Sequence, residues 1–326
     1  MTKLTPGQFE HVGREIEDML SDERVVTHVN EGWRVMRMFA GSQFNYALGD
    51  FPPMLQKRFR ELGTERKNSY EDLLGNFHII LKAYAEKVFD ITSFGSFSFE
   101  GKEYELIKIA TKPPASSFAE RLPICLVAGV HGDEVDGVWA ALHFARDFSR
   151  IPELVSTYAL TIYPCINPVG YERMTRENGK GKDLNREFGR ASDEIEVQIM
   201  ERELGGQEFT GFISGHSDFE SFGLYAYATG PVISERLAKP ALFQASGIIP
   251  INLDAVIDGY PAQYGIINQR FPGSLGPLTK GKTEPFEITI ETPNLFSLRK
   301  RVEAQAIAFE TILQEYRAVA AEGMYL

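Results

Sequence analysis

Apolar residues change their spacing once along this chain. Up to about residue 92 they recur at helical intervals. Thr5-Pro6 reads as an N-cap with proline at the first helical position, and Phe9, Val12, Ile16 and Leu20 continue one face. A second helix is expected over 31–39, and Phe51-Pro52-Pro53 breaks the pattern. Ser69-Tyr70-Glu71-Asp72 is a loose capping box, with aspartate where glutamate is usual. It opens a long helix whose apolar face carries Leu73, Leu74, Phe77, Leu81, Tyr84 and Val88, read as core.

From about residue 94 the pattern turns to alternating strands and helices. A hairpin is expected from 97–99, Gly101 and 104–110, and a loop over 112–117. Strands follow at 122–130, 158–166, 224–228 and 288–290, with a short one at 212–214. Helices are expected at 136–148, 194–204 and 296–316. The fold class is therefore α/β, with a mixed, largely parallel central sheet flanked by helices and an N-terminal helical extension. The expected division is a helical region over 1–92 and a larger domain over 93–326. In such sheets ligands gather beyond the carboxyl ends of strands. His131, Asn167 and Glu291 all fall at such ends.

Composition narrows the classes. The 326 residues are 43% hydrophobic and 24% charged, as in ordinary globular proteins. A net charge of −11 argues against a nucleic-acid partner. No run of eighteen apolar residues predicts a membrane span, and the first residues lack a signal-peptide core, so a cytoplasmic location is expected. Cys125 and Cys165 lie inside apolar runs and read as buried free thiols in a reducing compartment. We find no internal repeat and no low-complexity tract.

The candidate chemistry starts at His131-Gly132-Asp133-Glu134, on the turn leaving the strand expected at 122–130. An imidazole and a carboxylate three residues apart can close on one metal ion, and a catalytic zinc site commonly takes a third protein ligand while keeping one position open. Four further segments stand downstream: Asn167-Pro168-Val169-Gly170 running on to Arg176, Asp183-Leu184-Asn185-Arg186, Gly215-His216-Ser217, and Thr289-Ile290-Glu291-Thr292-Pro293.

In this order and spacing the segments resemble the zinc carboxypeptidase superfamily over roughly residues 95–318. That group includes carboxypeptidase A-like enzymes, murein-peptide amidases, and the succinylglutamate desuccinylase and aspartoacylase branch. The resemblance implies one Zn²⁺ held by His131, Glu134 and His216, with Asp183 accepting the remaining N–H of His131. It implies Glu291 as general base and Arg176 as stabiliser of the oxyanion. Asn185 and Arg186 would hold a substrate carboxylate, which a planar guanidinium can grip bidentately. Arg173 is the rival of Arg176, and Glu287 the rival of Glu291. A substrate-covering tyrosine would be Tyr264 or Tyr260. His143 reads as packing, and His11, His28 and His78 as non-ligands.

The expected function is a zinc-dependent hydrolase, a metallocarboxypeptidase or related amidase, cutting a peptide or isopeptide bond next to a free carboxylate. The alternative is an N-acyl amino acid deacylase of the desuccinylase and aspartoacylase type. A non-catalytic binding protein on the same fold would be favoured by loss of a ligand or the base, and neither is lost. The expected partner is a small peptide or acyl amino acid, with no nucleic acid and no membrane. The N-terminal helical region is expected to pack on the catalytic domain. An inhibitory cover, a substrate-selecting wall and a dimerisation surface are its other readings.

Overall fold

The computed structural model describes residues 68–113, 121–277 and 285–322. The helices expected before residue 68, the break at 51–53, His11 and His28 lie outside the described residues.

Ser69 caps helix α1 (Tyr70–Tyr84), its hydroxyl accepting from the Asp72 amide at 3.1 Å. Tyr70, Leu73, Phe77 and Leu81 form the buried stripe, while Tyr84 is exposed and Val88 lies beyond the helix. That stripe joins the same core as the sheet. Strand β1 (Phe89–Phe99) begins soon afterwards and straddles the division expected at residue 92. Ile91, Thr92, Phe94, Phe97 and Phe99 account for the early start, since β-branched and aromatic side chains suit a pleated surface. Glu100 and Gly101, both at positive φ, turn the chain into β2 (Lys102–Thr111), and the expected hairpin forms.

The remaining strands are β3 (Leu122–Ala128), β4 (Tyr158–Tyr163), β5 (Gly211–Asp218), β6 (Tyr225–Ala228), β7 (Val256–Ile257), β8 (Tyr260–Gln263), β9 (Ile266–Ile267) and β10 (Phe286–Pro293). They run in the order β1-β2-β4-β3-β5-β10-β6-β9-β8-β7. The sheet is mixed. Its centre, β4-β3-β5-β10, is parallel, as is β6 with β9, and the other pairs are antiparallel.

Alternation along β3 shows why the sheet is covered on both faces. Ile124, Leu126 and Ala128 join the core shared with α2 (Val135–Phe148) and the last helix, α7 (Leu298–Ala321). Cys125 and Val127 point the other way, toward Val197, Met200 and Leu204 of α5 (Ile195–Leu204). Both cysteines are buried free thiols, and burial pushes each well above its ordinary pKa. The chain also forms α3 (Pro152–Thr157), α4 (Pro168–Arg173) and, after β6, α6 (Lys239–Ala245).

β5 and β10 both run longer than the apolar residues predict. Their last residues, His216-Ser217-Asp218 and Glu291-Thr292-Pro293, are largely polar but pair in parallel register, residue for residue. The paired backbone carries polar side chains to the carboxyl edge of the sheet, where the site lies.

Candidate active site

The metal turn is shaped by its contact with the loop after β4. The Gly129 carbonyl accepts from the Ile166 amide at 3.1 Å and the Asn167 amide at 2.8 Å, so the exits of β3 and β4 are stitched together. Asn167 caps α4, its side-chain oxygen accepting from the Gly170 amide at 2.9 Å, and Pro168 takes the first helical position. A Cβ on Gly132 would collide with the Gly170 carbonyl carbon and the Tyr171 amide nitrogen. The Asn-Pro-x-Gly step therefore buttresses the His131–Glu134 turn, and glycine is what lets the two backbones touch.

Three buried side chains converge there. His131 Nδ1 lies 2.6 Å from Glu134 Oε1, His216 Nδ1 lies 2.8 Å from Glu134 Oε2, and the two Nδ1 atoms are 3.3 Å apart. Each residue offers one ligand atom, and these atoms lie within 4.8 Å of one another. On its far side His131 Nε2 meets Asp183 Oδ1 at 3.1 Å. A carboxylate on Nε2 holds the proton there and leaves the Nδ1 lone pair facing the cluster. Two imidazole nitrogens and a carboxylate, with one ring oriented from behind, fit the donor set of a zinc ion.

Electrostatics within the cluster are strong. Burial lowers the His131 pKa, but Glu134 and Asp183 outweigh it and raise the imidazole to about 9. Burial raises Glu134, and the two histidines overcome that and hold it well below the usual carboxylate range. Asp183 is lowered likewise, burial being outweighed by His131 and Arg176. Glu291 behaves oppositely. Burial, then the Glu134 and Asp218 carboxylates, push it well above the carboxylate range, with Arg176 opposing.

The cluster floors a cavity of about 440 Å³. Arg176 reaches into it: its Nε and Nη2 donate to Asp183 Oδ2 at 3.1 and 3.0 Å, and its Nη1 lies 3.5 Å from Glu134 Oε1. Arg173 instead sits at the surface, paired with Glu100 at 2.6 Å and lying over the Phe99 ring. Asn185 and Arg186 both line the cavity. Asn185 accepts from the Leu275 amide at 2.8 Å, and the Arg186 guanidinium lies 5.9 Å from the Phe271 ring centre.

Glu291 pairs in register with His216 across β5 and β10, and with Tyr225 across β6. Glu287 lines the same cavity, because residues four apart on a strand share a face, but its carboxylate meets Arg270 at 2.8 Å. Tyr264 is not among the cavity-lining residues. It is 55% exposed, and Lys239 Nζ lies 4.4 Å from its ring centre. Its chain position near the site does not bring it there, because the turn at Tyr264-Gly265, both at positive φ, carries the ring outward. Tyr260 packs edge-on against Phe271, which does line the cavity. His143 sits on α2 beside a separate groove, and His78 is exposed on α1.

Some cavity residues escape sequence reasoning. Arg270 is one. Asp218, which accepts from Tyr225 at 2.9 Å, and Asp258, which accepts from Tyr227 at 2.5 Å, are others. The Glu287-Thr289-Glu291 alternation was the one available signal, placing all three on one strand face. Nothing local marks Arg270 or Asp258, which enter from loops.

The comparisons with known proteins agree with this geometry. The family model for zinc carboxypeptidases matches residues 78–222. Carboxypeptidase Z of Rattus norvegicus is 29% identical over 111 residues, 28% of this chain and 17% of that protein. A protein named "Probable aspartoacylase" from Prochlorococcus marinus (strain MIT 9313) is 31% identical over 180 residues, 49% of this chain and 55% of that one. The matched stretches thus span from about a sixth to about half the length of these relatives. Among solved structures, carboxypeptidase A from Helicoverpa armigera superposes with a TM-score of 0.57 at 18% identity, covering 89% of this chain and 80% of that one. A metallo-carboxypeptidase from Burkholderia cenocepacia gives 0.56 at 14% identity, covering 76% and 68%. The family match thus covers part of the chain, and the superpositions show that the chain has the metallocarboxypeptidase fold.

Proposed function

We propose that this protein is a zinc-dependent hydrolase that cuts an amide bond next to a free carboxylate. The observation that carries the reading is the meeting of four groups in one cavity. These are the His131-Glu134-His216 cluster, Glu291 in register beside His216, Arg176 against the cluster, and Arg186 lining the same cavity.

His131 Nδ1, Glu134 and His216 Nδ1 would hold one zinc ion. When bound, the ion supplies Lewis acidity, lowering the pKa of water and polarising a carbonyl. Arg186, with Asn185 beside it, grips the substrate carboxylate and so fixes which bond faces the cluster. Arg176 projects its guanidinium toward that bond and meets the negative charge that develops on the carbonyl oxygen, a donor worth about 3 kcal/mol. Glu291, in register beside His216, takes a proton from the attacking water and returns it to the leaving amine.

Two substrate branches follow. A peptidase or amidase would remove a C-terminal residue or cut an isopeptide link. A deacylase would take one small N-acyl amino acid, and similarity to the Prochlorococcus protein named as an aspartoacylase favours including it. The zinc-loaded protein should be assayed on C-terminal dipeptides, murein tripeptide and N-acyl amino acids, with amine release as the readout. We expect turnover on one panel, lost with a chelator and restored by zinc. Tight zinc binding with no turnover on any panel would instead identify a binding protein on this fold.

A further inference from the structure

Beneath the catalytic face of the sheet, on the side turned away from the cavity, lies a buried polar cluster. His216 and Glu291 face the cavity, and their successors Ser217, which still borders it, and Thr292, also in register, turn their hydroxyls to the other side. Both successors end on one carboxylate. Ser217 Oγ donates to Asp136 Oδ1 at 2.5 Å, and Thr292 Oγ1 donates to Asp136 Oδ2. Asp136 itself stands two residues after Glu134, in the first turn of α2.

From α7, Arg301 Nη1 donates to Asp136 Oδ1 at 2.8 Å, and both side chains are completely buried. Arg301 Nε donates to the Phe296 carbonyl at 3.1 Å, and Nη1 also reaches Asn294 Oδ1. One turn along, Gln305 Nε2 donates to the His216 carbonyl at 2.6 Å and to Thr292 Oγ1 at 2.9 Å.

We propose that Asp136 is a positioning residue that fixes His216 and Glu291 relative to Glu134 from beneath the sheet, with Arg301 as its counter-ion. The inference rests on the hydrolase reading for the role of Glu291 and on the metal cluster for that of His216. Other polar links join these elements in pairs, Glu134 with His216 on the cavity side and Thr292 Oγ1 with the His216 carbonyl at 3.3 Å beneath. A single carboxylate bonded to all three ties their relative heights. Apolar side chains of similar volume would hold this region together as well as a buried ion pair does, so cohesion alone does not account for charge here. Directional bonds supply what apolar packing lacks, a unique setting for the residues one step away.

The test separates positioning from cohesion. Asp136→Asn is the direct variant. Ser217→Ala and Thr292→Val each delete one hydroxyl and keep the fold accessible if Asp136→Asn does not fold. Zinc Kd is measured by chelator competition, with kcat, KM and thermal midpoint on the same samples. Ser217→Ala should weaken zinc about tenfold, the low end for loss of an outer partner of a metal ligand. Thr292→Val should lower kcat about tenfold at constant KM and change zinc Kd less than Ser217→Ala does, since Thr292 directly follows Glu291 and meets His216 only at its carbonyl, at 3.3 Å. Zinc Kd and kcat within twofold of the parent in both variants, whatever the thermal midpoint does, would overturn the proposal. If the parent binds zinc but hydrolyses nothing, the hydrolase reading fails by itself. The zinc arm of Ser217→Ala then still decides the positioning role, tight binding refuting it and weakened binding supporting it.

Discussion

The two walls of the cavity are built from different material. His131, Glu134, His216 and Glu291 stand at the carboxyl ends of β3, β5 and β10, three adjacent parallel strands. The other wall comes from loops around Asp258 and 269–276. There, side-chain pairings do the holding: Arg270 with Glu287, Tyr227 with Asp258, and Tyr227 and Tyr260 edge-on against Phe271. Paired strands fix side chains to within the tolerance that bond-breaking requires, whereas loops admit the variation that substrate choice requires.

Two glutamates on one strand put this contrast to its severest trial. Glu291→Gln keeps shape and hydrogen bonding but cannot carry the proton. We expect kcat to fall by about 10²–10⁴, the span of general acid–base contributions, with zinc content unchanged. Glu287→Gln, four residues earlier on the same face, releases Arg270 and with it the loop wall. A partly exposed pair of this kind is worth up to about 1 kcal/mol, so KM should rise at most about fivefold with kcat unchanged. Steady-state kinetics on the best substrate checks both. Equal losses in the two variants would erase the distinction between the walls.

The same pair shows how far the sequence is legible. The His131-x-x-Glu134 turn could be read directly, because its ligands are local and follow a clear buried strand. Glu291 could be read because a charge beside a β-branched strand is costly unless it faces a polar cleft, whereas His216 was legible only through the ordered segments that carry the family resemblance. Choosing Glu291 over Glu287 from the residues alone has a weak basis. A period of two puts both on one face, and only the register with His216 distinguishes them. The loop wall was largely illegible, since Arg270 and Asp258 owe their places to backbone turns that no short-range pattern encodes. Asp136 and Arg301 were hidden for a different reason. Each sits in an amphipathic helix where a charged residue ordinarily marks the solvent side, yet both are fully buried.

A second way to sharpen the comparison uses pH. In the metal-free protein His131 is raised to about 9 by Glu134 and Asp183 against the effect of burial. Below that value the imidazole carries its extra proton, and a metal must displace it to reach the Nδ1 lone pair. Zinc binding should therefore release a proton at pH 7 to 8, and Kd should rise about tenfold for each unit the pH falls in that window. Calorimetry in buffers of different ionisation enthalpy measures the release. The sign for folding is the reverse. A histidine pKa raised in the folded state stabilises the metal-free protein below the unfolded value near 6.5, and that stability fades as pH climbs through about 9. A pH-independent zinc Kd between 7 and 8 would mean that the cluster does not hold the proton the geometry assigns to it.

The smallest expected effect concerns Tyr264, where a role inferred from chain position meets a side chain that the fold turns outward. Its ring is exposed, its backbone is left-handed at φ 54°, and Lys239 lies over it. Tyr264→Phe keeps the ring and the cation contact and deletes only the hydroxyl. Surface substitutions of this kind stay within about 0.5 kcal/mol, so kcat/KM should remain within about twofold of the parent. A tenfold fall in kcat at unchanged KM would show that the turn swings over the substrate during catalysis. The loop wall would then belong to the chemistry as well as to recognition. Tyr227, whose hydroxyl already faces Asp258 within the cavity, gives the matching control. Its Phe variant loses a hydrogen bond inside the wall itself, and so should raise KM more than Tyr264→Phe does.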